Sequence, residues 1–362
     1  MKILFVATVA RHILAFHLPY LQWFKSLGWE VHVATSGGEE ISHCDIHHTI
    51  PISRSPFRLA NLRAYHQLAA IICKEDYAII HCHTPMGGMI ARLAARRVRK
   101  SKKAKVMYTS HGYYFLAGGP ISSWLLYYPI EKWLARYTDD LIVINTEDYT
   151  MAKKHMPAKR VHYVPGVGID CMKFTNPGVC SNTMRDALNI PRDAQILLSI
   201  GELNQNKNHQ IIIKAMKEIN KNIYYVICGV GGLDGYLRDL AADLGLGNRL
   251  VMLGHRNDIA DLLHTADVFV FPSLREGLPV SLMEAMAAGL PCVVSRTRGN
   301  VDLIDDGSGG MICDPLDASE FAKNIKFAYQ NAAMGNYNKQ AVQKFDIVHI
   351  LEQMKKIYMP ED

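Results

Sequence analysis

Long hydrophobic runs are missing from this chain of 362 residues. The longest, such as Asp267-Val-Phe-Val-Phe-Pro272, fall far short of the ~20 residues that cross a bilayer. The first residues, Met1-Lys2-Ile3-Leu4-Phe5-Val6, lack the longer apolar stretch and small-residue cleavage site of a secretory leader, and read as a first strand. The expectation is a protein made and kept in the cytosol. Eight cysteines are scattered without a Cys-x-x-Cys pair, which argues against a disulfide scaffold and for reduced thiols. There is no low-complexity tract and no short solenoid repeat. Charged residues make up 20% and apolar residues 49%, which excludes a largely disordered chain and supplies sizeable cores. The length sets two domains as the prior.

Charge is uneven. Residues 1–170 carry 21 Lys/Arg against 12 Asp/Glu, whereas residues 171–362 carry 19 against 22. Much of the excess lies between Arg92 and Lys105, with eight basic residues and no acid. A solvated helix end explains such a run; so does contact with an anionic membrane surface. No nucleic-acid-binding motif accompanies it.

Short apolar runs alternate with helical patterns in two sets. Lys2–Thr8, Glu30–Thr35, Tyr77–His81, Lys105–Thr109 and Asp140–Ile144 form the first. Ile196–Ile200, Tyr224–Cys228, Leu250–Leu253, Val268–Phe271 and Cys292–Ser295 form the second, after a Pro/Gly/polar stretch near 165–185. Strand–helix alternation predicts α/β architecture with parallel sheets covered on both faces. Two sets predict two Rossmann-like domains, 1–167 and 168–344, with a last helix over about 345–362 packing back on the first. Ligands in such sheets sit beyond the carboxyl ends of the strands.

The segment Phe271 to Pro291 combines a strand end, a Gly/Pro loop and a helix that stops at Gly289. Glu276 and Glu284 stand eight residues apart, one in the loop and one on the helix. Between them the backbone N–H groups of Gly277, Leu278, Val280 and Ser281 surround a helix start, a natural seat for phosphate. A carboxylate on that helix can accept hydrogen bonds from ribose hydroxyls; the loop carboxylate can meet a sugar.

This Glu-x7-Glu segment resembles the donor-site signature of the family 4 glycosyltransferases, retaining enzymes with the GT-B fold, whose two Rossmann-like domains face each other across a cleft. Further similar segments occur in the family's order: Thr109-Ser-His111-Gly112, Val164-Pro-Gly-Val-Gly-Ile-Asp170, and Ser199-Ile-Gly201-Glu202-Leu203-Asn-Gln-Asn-Lys207. The stretch from His111 to Tyr149 is most like the bacterial capsule and exopolysaccharide transferases. The resemblance implies roles. His111 and Glu276 are the catalytic candidates, His111 touching the donor sugar near its reacting carbon. Lys207 neutralises the leaving diphosphate, Glu284 holds the ribose, and Arg256 with the amides of Gly277, Leu278 and Val280 completes the donor site. It also implies a nucleotide-sugar donor, with UDP as the leading nucleotide, a lipid-linked or oligosaccharide acceptor, and neither cofactor nor metal. No Asp-x-Asp motif lies near the donor segment. Two departures stand out. Glu202 replaces the arginine that usually follows the donor-loop glycine, and Thr8-Val-Ala-Arg-His12 replaces the usual Gly-Gly pair after the first strand.

The remaining signals are weaker. Gly229-Val-Gly231-Gly232 lacks the third glycine of a dinucleotide motif and reads as a tight turn beside the nucleotide. His43-Cys-Asp-Ile-His-His48 and His81-Cys82-His83 have no closed four-ligand spacing, and read as loop and strand-end histidines. The aromatic stretch Tyr113-Tyr-Phe-Leu116, Trp124 to Tyr128 and Trp133 suits either helix packing or a membrane interface. With the basic run, the family resemblance implies peripheral association with the inner face of the cytoplasmic membrane. Competing readings are a nucleotide-sugar epimerase of the same architecture and a non-catalytic sugar-nucleotide-binding partner.

Overall fold

The computed structural model describes the whole chain except residues 102–103, 116–117, 220–221 and 361–362, and the side chain of residue 100. Lys102 and Lys103 of the basic run and Leu116 of the aromatic stretch therefore lie outside the described residues. The chain divides into two compact units, Met1–Val167 with the residues from Ile350 onward, and Gly168–His349.

The first unit is built on seven parallel strands: β1 (Lys2–Val9), β2 (Glu30–Ser36), β3 (Ile46–Thr49), β4 (Tyr77–His83), β5 (Lys105–Ser110), β6 (Asp140–Val143) and β7 (Arg160–Tyr163). Their order is β3-β2-β1-β4-β5-β6-β7. The winding direction reverses between β1 and β4. Strand β1 shows why the sheet is sandwiched. Ile3, Phe5 and Ala7 enter one apolar core, and the alternate residues Leu4 and Val6 enter the other. A strand buried on both faces needs such a continuous apolar run. The helix Ile347–Tyr358 completes the first of these cores with Ile350, Met354 and Tyr358, spaced four apart on one face.

The second unit holds six parallel strands: β8 (Gln195–Ile200), β9 (Ile223–Cys228), β10 (Leu250–Gly254), β11 (Val268–Phe271), β12 (Cys292–Ser295) and β13 (Gly310–Cys313). The order is β10-β9-β8-β11-β12-β13, and the reversal falls between β8 and β11. Leu197, Tyr225, Ile227, Val268, Val270 and Val293 form one core, with Phe321 and Ile325 from the covering helix Ala318–Gln330. Both units are thus doubly wound Rossmann-like sheets, each with one point where ligands have room beside the strand ends.

Part of the basic run is internal. Arg92 is 1% exposed; it donates to the Gly88 carbonyl and to Glu131 (2.9 Å each) and stacks over the Tyr108 ring. Arg99 forks onto Asp139, and Lys105 pairs with Asp140. Arg96 and Arg97 are exposed. The aromatic stretch splits likewise. Tyr113, Phe115 and Leu134 are buried, while Ile121, Leu125, Leu126, Ile130 and Trp133 form an exposed apolar flank of the helix Ile121–Ala135.

Candidate active site

In the second unit the loops after β8 and β11 meet at the reversal. Beyond β8 the backbone enters a short 3-10 turn, Gln205–Lys207, capped by the Asn204 side chain, which accepts from the Lys207 amide (3.0 Å). The next residue, Asn208, adopts a left-handed φ of 53°. Its buried amide donates to the Pro315 carbonyl at 2.9 Å and the Pro272 carbonyl at 3.3 Å. Asparagine tolerates this backbone better than most residues. The turn aims Lys207 Nζ at Glu276 Oε1, 2.7 Å away, and over the Phe271 ring, 4.6 Å from its centroid. The two loops are also tied by backbone: the Leu274 amide donates to the Asn206 carbonyl, and the Asn206 side chain to the Arg275 carbonyl. An ammonium has three donors. The carboxylate and ring orient it, and the remaining capacity can face an anion.

The glycines at 229 and 231 have a packing role. A Cβ on Gly229 would sit 1.8 Å from the Gly201 carbonyl oxygen, and one on Gly231 2.4 Å from that of Leu203. The turn after β9 therefore presses its backbone on the loop carrying Lys207. The Leu203 amide donates to Val230, and that of Leu233 donates back to Leu203.

Glu276 and Gly277 lie in the loop, and Leu278 is buried. Pro279 is the N-cap of the helix Val280–Ala288, one position earlier than a first-turn proline. The amides of Val280, Ser281 and Leu282 have no partner within the helix, and its positive dipole end lies here. Gly289 ends the helix at a left-handed φ of 83°. Glu284 sits one turn into the helix, half-buried. Burial pushes its carboxyl up to about 7, and Lys173 pulls the other way.

Arg298 was not among the sequence candidates. It follows β12, is 7% exposed, and its Nε donates to the Glu276 carbonyl (2.9 Å). The next residue, Gly299, has φ 80°, and a Cβ there would meet the Gly277 oxygen at 2.3 Å. A basic residue followed by glycine beyond a strand end was the available signal. Arg256 lies in the loop after β10, where its guanidinium forks onto Asp258. Glu202 is exposed.

In the first unit His111 follows β5. Gly112 turns the chain at φ 117°, and the Tyr113 amide donates to Asp148, itself held by Asn145, the N-cap of the helix Thr146–His155. The structure brings His111 to three other histidines. Its Nε2 is 3.2 Å from His12 Nε2, which is 3.2 Å from His17 Nε2, and the His17 ring stacks on that of His83 at 3.9 Å between centroids. Burial lowers all four; His12 falls to about 4 and the others well below their usual value. His81 instead bonds Tyr358 and Thr109, in keeping with strand-end packing. His83 departs from that reading, because it ends β4 at the reversal point and turns toward the other three.

The two doubly wound units correspond to two family models. A family model described as glycosyl transferases group 1 matches residues 181–345, and one described as glycosyl transferase 4-like matches residues 2–145. The putative glycosyltransferase EpsD of Bacillus subtilis is 40% identical over 367 residues, covering 99% of this chain and 96% of that protein. The chain belongs to this family of glycosyltransferases. The UDP-Gal:alpha-D-GlcNAc-diphosphoundecaprenol alpha-1,3-galactosyltransferase of Escherichia coli is 29% identical over 314 residues, 83% of this chain and 80% of that one. Among solved structures, Anabaena Alr3699/HepE in complex with UDP superposes with a TM-score of 0.82 at 18% identity, covering 99% of both chains. That likeness establishes the GT-B fold.

Proposed function

We propose that this glycosyltransferase moves a sugar from a UDP-sugar to a lipid-linked acceptor in the synthesis of a surface polysaccharide, with retention at the anomeric carbon. The observation that carries the reading is the second unit's reversal point, where the Lys207 ammonium and an open helix start flank one loop. Breaking the bond between the sugar and the diphosphate sends an electron pair to the phosphate oxygen. Lys207 and the amides of Gly277, Leu278 and Val280 stabilise that charge; one preformed donor of this kind is worth about 3 kcal/mol. The Glu284 carboxylate accepts from the ribose hydroxyls. Glu276, fixed by Lys207, and His111 meet the transferred sugar. Arg256 remains a candidate nucleotide contact, provided Asp258 shares it. The acceptor hydroxyl attacks from the face the diphosphate leaves, and its proton passes to the departing phosphate oxygen. No cofactor or metal enters these steps.

UDP is favoured by the UDP complex of the Anabaena protein, and a lipid-linked acceptor by the diphosphoundecaprenol in the name of the Escherichia coli relative. Among the described residues no helix is long and apolar enough to cross a membrane. The exposed flank of Ile121–Ala135 adjoins an apolar groove of about 460 Å³ lined by Phe57, Leu59, Leu62, Met89 and Trp133, with Arg58 and Arg96 at its edge. Apolar surface beside cations suits an anionic lipid face. The test is mass spectrometry after incubation with bacterial membranes and a panel of UDP- and GDP-sugars. A gain of one sugar on a polyprenyl-linked species supports the reading. A converted sugar nucleotide without released UDP contradicts it.

A further inference from the structure

We propose that His12, His17, His83 and His111 form a binding site for one divalent transition-metal ion of the zinc or cobalt class, a site that shares only His111 with the sugar chemistry above. The four come from different segments, namely the helix Ala10–Phe16, the residue after it, the end of β4, and the residue after β5. Each offers one ring nitrogen, and these four atoms lie within 4.8 Å of one another.

Hydrogen bonding alone does not satisfy them. His12 Nε2 faces the Nε2 atoms of both His17 and His111 at 3.2 Å. A neutral imidazole nitrogen has either one proton or one lone pair. It can serve one of these neighbours well, and the other contact is left mismatched. His83 is 1% exposed, and neither of its ring nitrogens has a partner. A buried polar atom without a partner is costly, so a missing one should be sought. One cation accepting a lone pair from each ring resolves both defects. Zinc–nitrogen bonds of about 2.0–2.1 Å place tetrahedral ligand atoms roughly 3.3 Å apart. The two 3.2 Å contacts already match that spacing, and ring rotation closes the rest.

The surroundings select the ligand's sign and kind. A neutral imidazole is the form that ligates a metal, and no carboxylate belongs to the cluster. An all-imidazole set without carboxylates suits zinc, cobalt, nickel or copper rather than magnesium or calcium. A cavity of about 20 Å³ lined by His17, His83 and His111, though not by His12, lies beside the cluster. His17 and His83 are buried, while His12 and His111 are half-exposed and leave a way in.

The test uses the full chain, without a histidine tag and stripped with EDTA. It is titrated with Co²⁺ by visible absorption and with Zn²⁺ by calorimetry. The expected result is one ion per chain, with the intense absorption of tetrahedral cobalt. His12→Ala and His111→Ala are each expected to weaken binding at least tenfold. Unchanged thermal midpoints of the metal-free variants, whose altered side chains are half-exposed, exclude simple misfolding. No saturable binding below about 1 mM would overturn the proposal. So would binding that survives the double variant, which would place the metal elsewhere. Bound Zn²⁺ should also suppress sugar transfer by occupying His111. That consequence rests on the role proposed for His111, whereas the binding measurement does not.

Discussion

The two reversal points use one topology for opposite electrostatics. In the second unit the strand ends gather full charges: Lys207 on Glu276 at 2.7 Å, and Arg298 on the Glu276 carbonyl. In the first unit the corresponding place gathers four imidazoles, and loss of solvent shifts all of them toward the neutral form. The winding of a sheet provides the crevice, and the side chains decide what it receives. A charged pair suits a ligand that brings and develops negative charge. A neutral cluster suits soft electron acceptors and sugar hydroxyls.

Variants can break this contrast in graded steps. The largest effect is expected from His111→Ala, which should lower turnover at least 100-fold, about 3 kcal/mol, while UDP affinity measured by calorimetry stays within twofold. Loss of UDP affinity in that variant would erase the division between the two crevices. Gly229→Ala comes next. Its Cβ meets the Gly201 oxygen at 1.8 Å, so the loop carrying Lys207 must shift, at a cost of about 1–3 kcal/mol in denaturant unfolding. The same change at Gly232, where a Cβ meets nothing within 4 Å, should be nearly silent.

A smaller effect than that of Gly229→Ala concerns pH. The Glu284 carboxyl titrates near 7 in the folded chain, well above its ordinary value of 4.5. Between those values the native state keeps a proton that the unfolded chain has released. This group's contribution to stability is therefore full below about 4.5 and is lost as pH rises toward 7. Ribose hydroxyls donate best to the ionised form, so UDP should bind about tenfold more tightly at pH 8 than at pH 6 through this group. Glu284→Gln should remove that part of the dependence. An identical pH profile in the variant would refute the ribose role.

Of the thirteen strands among the described residues ten were legible as apolar runs: nine are interior strands buried on both faces, and β10 is a half-buried edge strand that is nonetheless apolar. The missed ones, β3, β7 and β13, are four-residue edge strands. In β3 and β7 the side chains are exposed or half-exposed, so no apolar run marks them. Edge strands are commonly kept short and polar. The basic run misled in part, because composition does not reveal that Arg92 has Tyr108 and Glu131 as internal partners. Lys207 and Glu276 were legible separately through their motifs; their 2.7 Å contact depends on β8 lying beside β11. Arg298 gave no strong signal, since its meaning depends on Gly299 closing against Gly277. The histidine cluster was invisible for the same reason. Positions 12, 17, 83 and 111 have no ligand spacing until β4 lies between β1 and β5.

Lys207 at the second unit's reversal point is the residue proposed to hold a nucleoside diphosphate. Calorimetric titration of UDP into the wild type and into Lys207→Ala tests it most directly. One UDP per chain and at least tenfold weaker binding in the variant, with its fold retained, are expected. Equal affinity for UDP in the two proteins would contradict it.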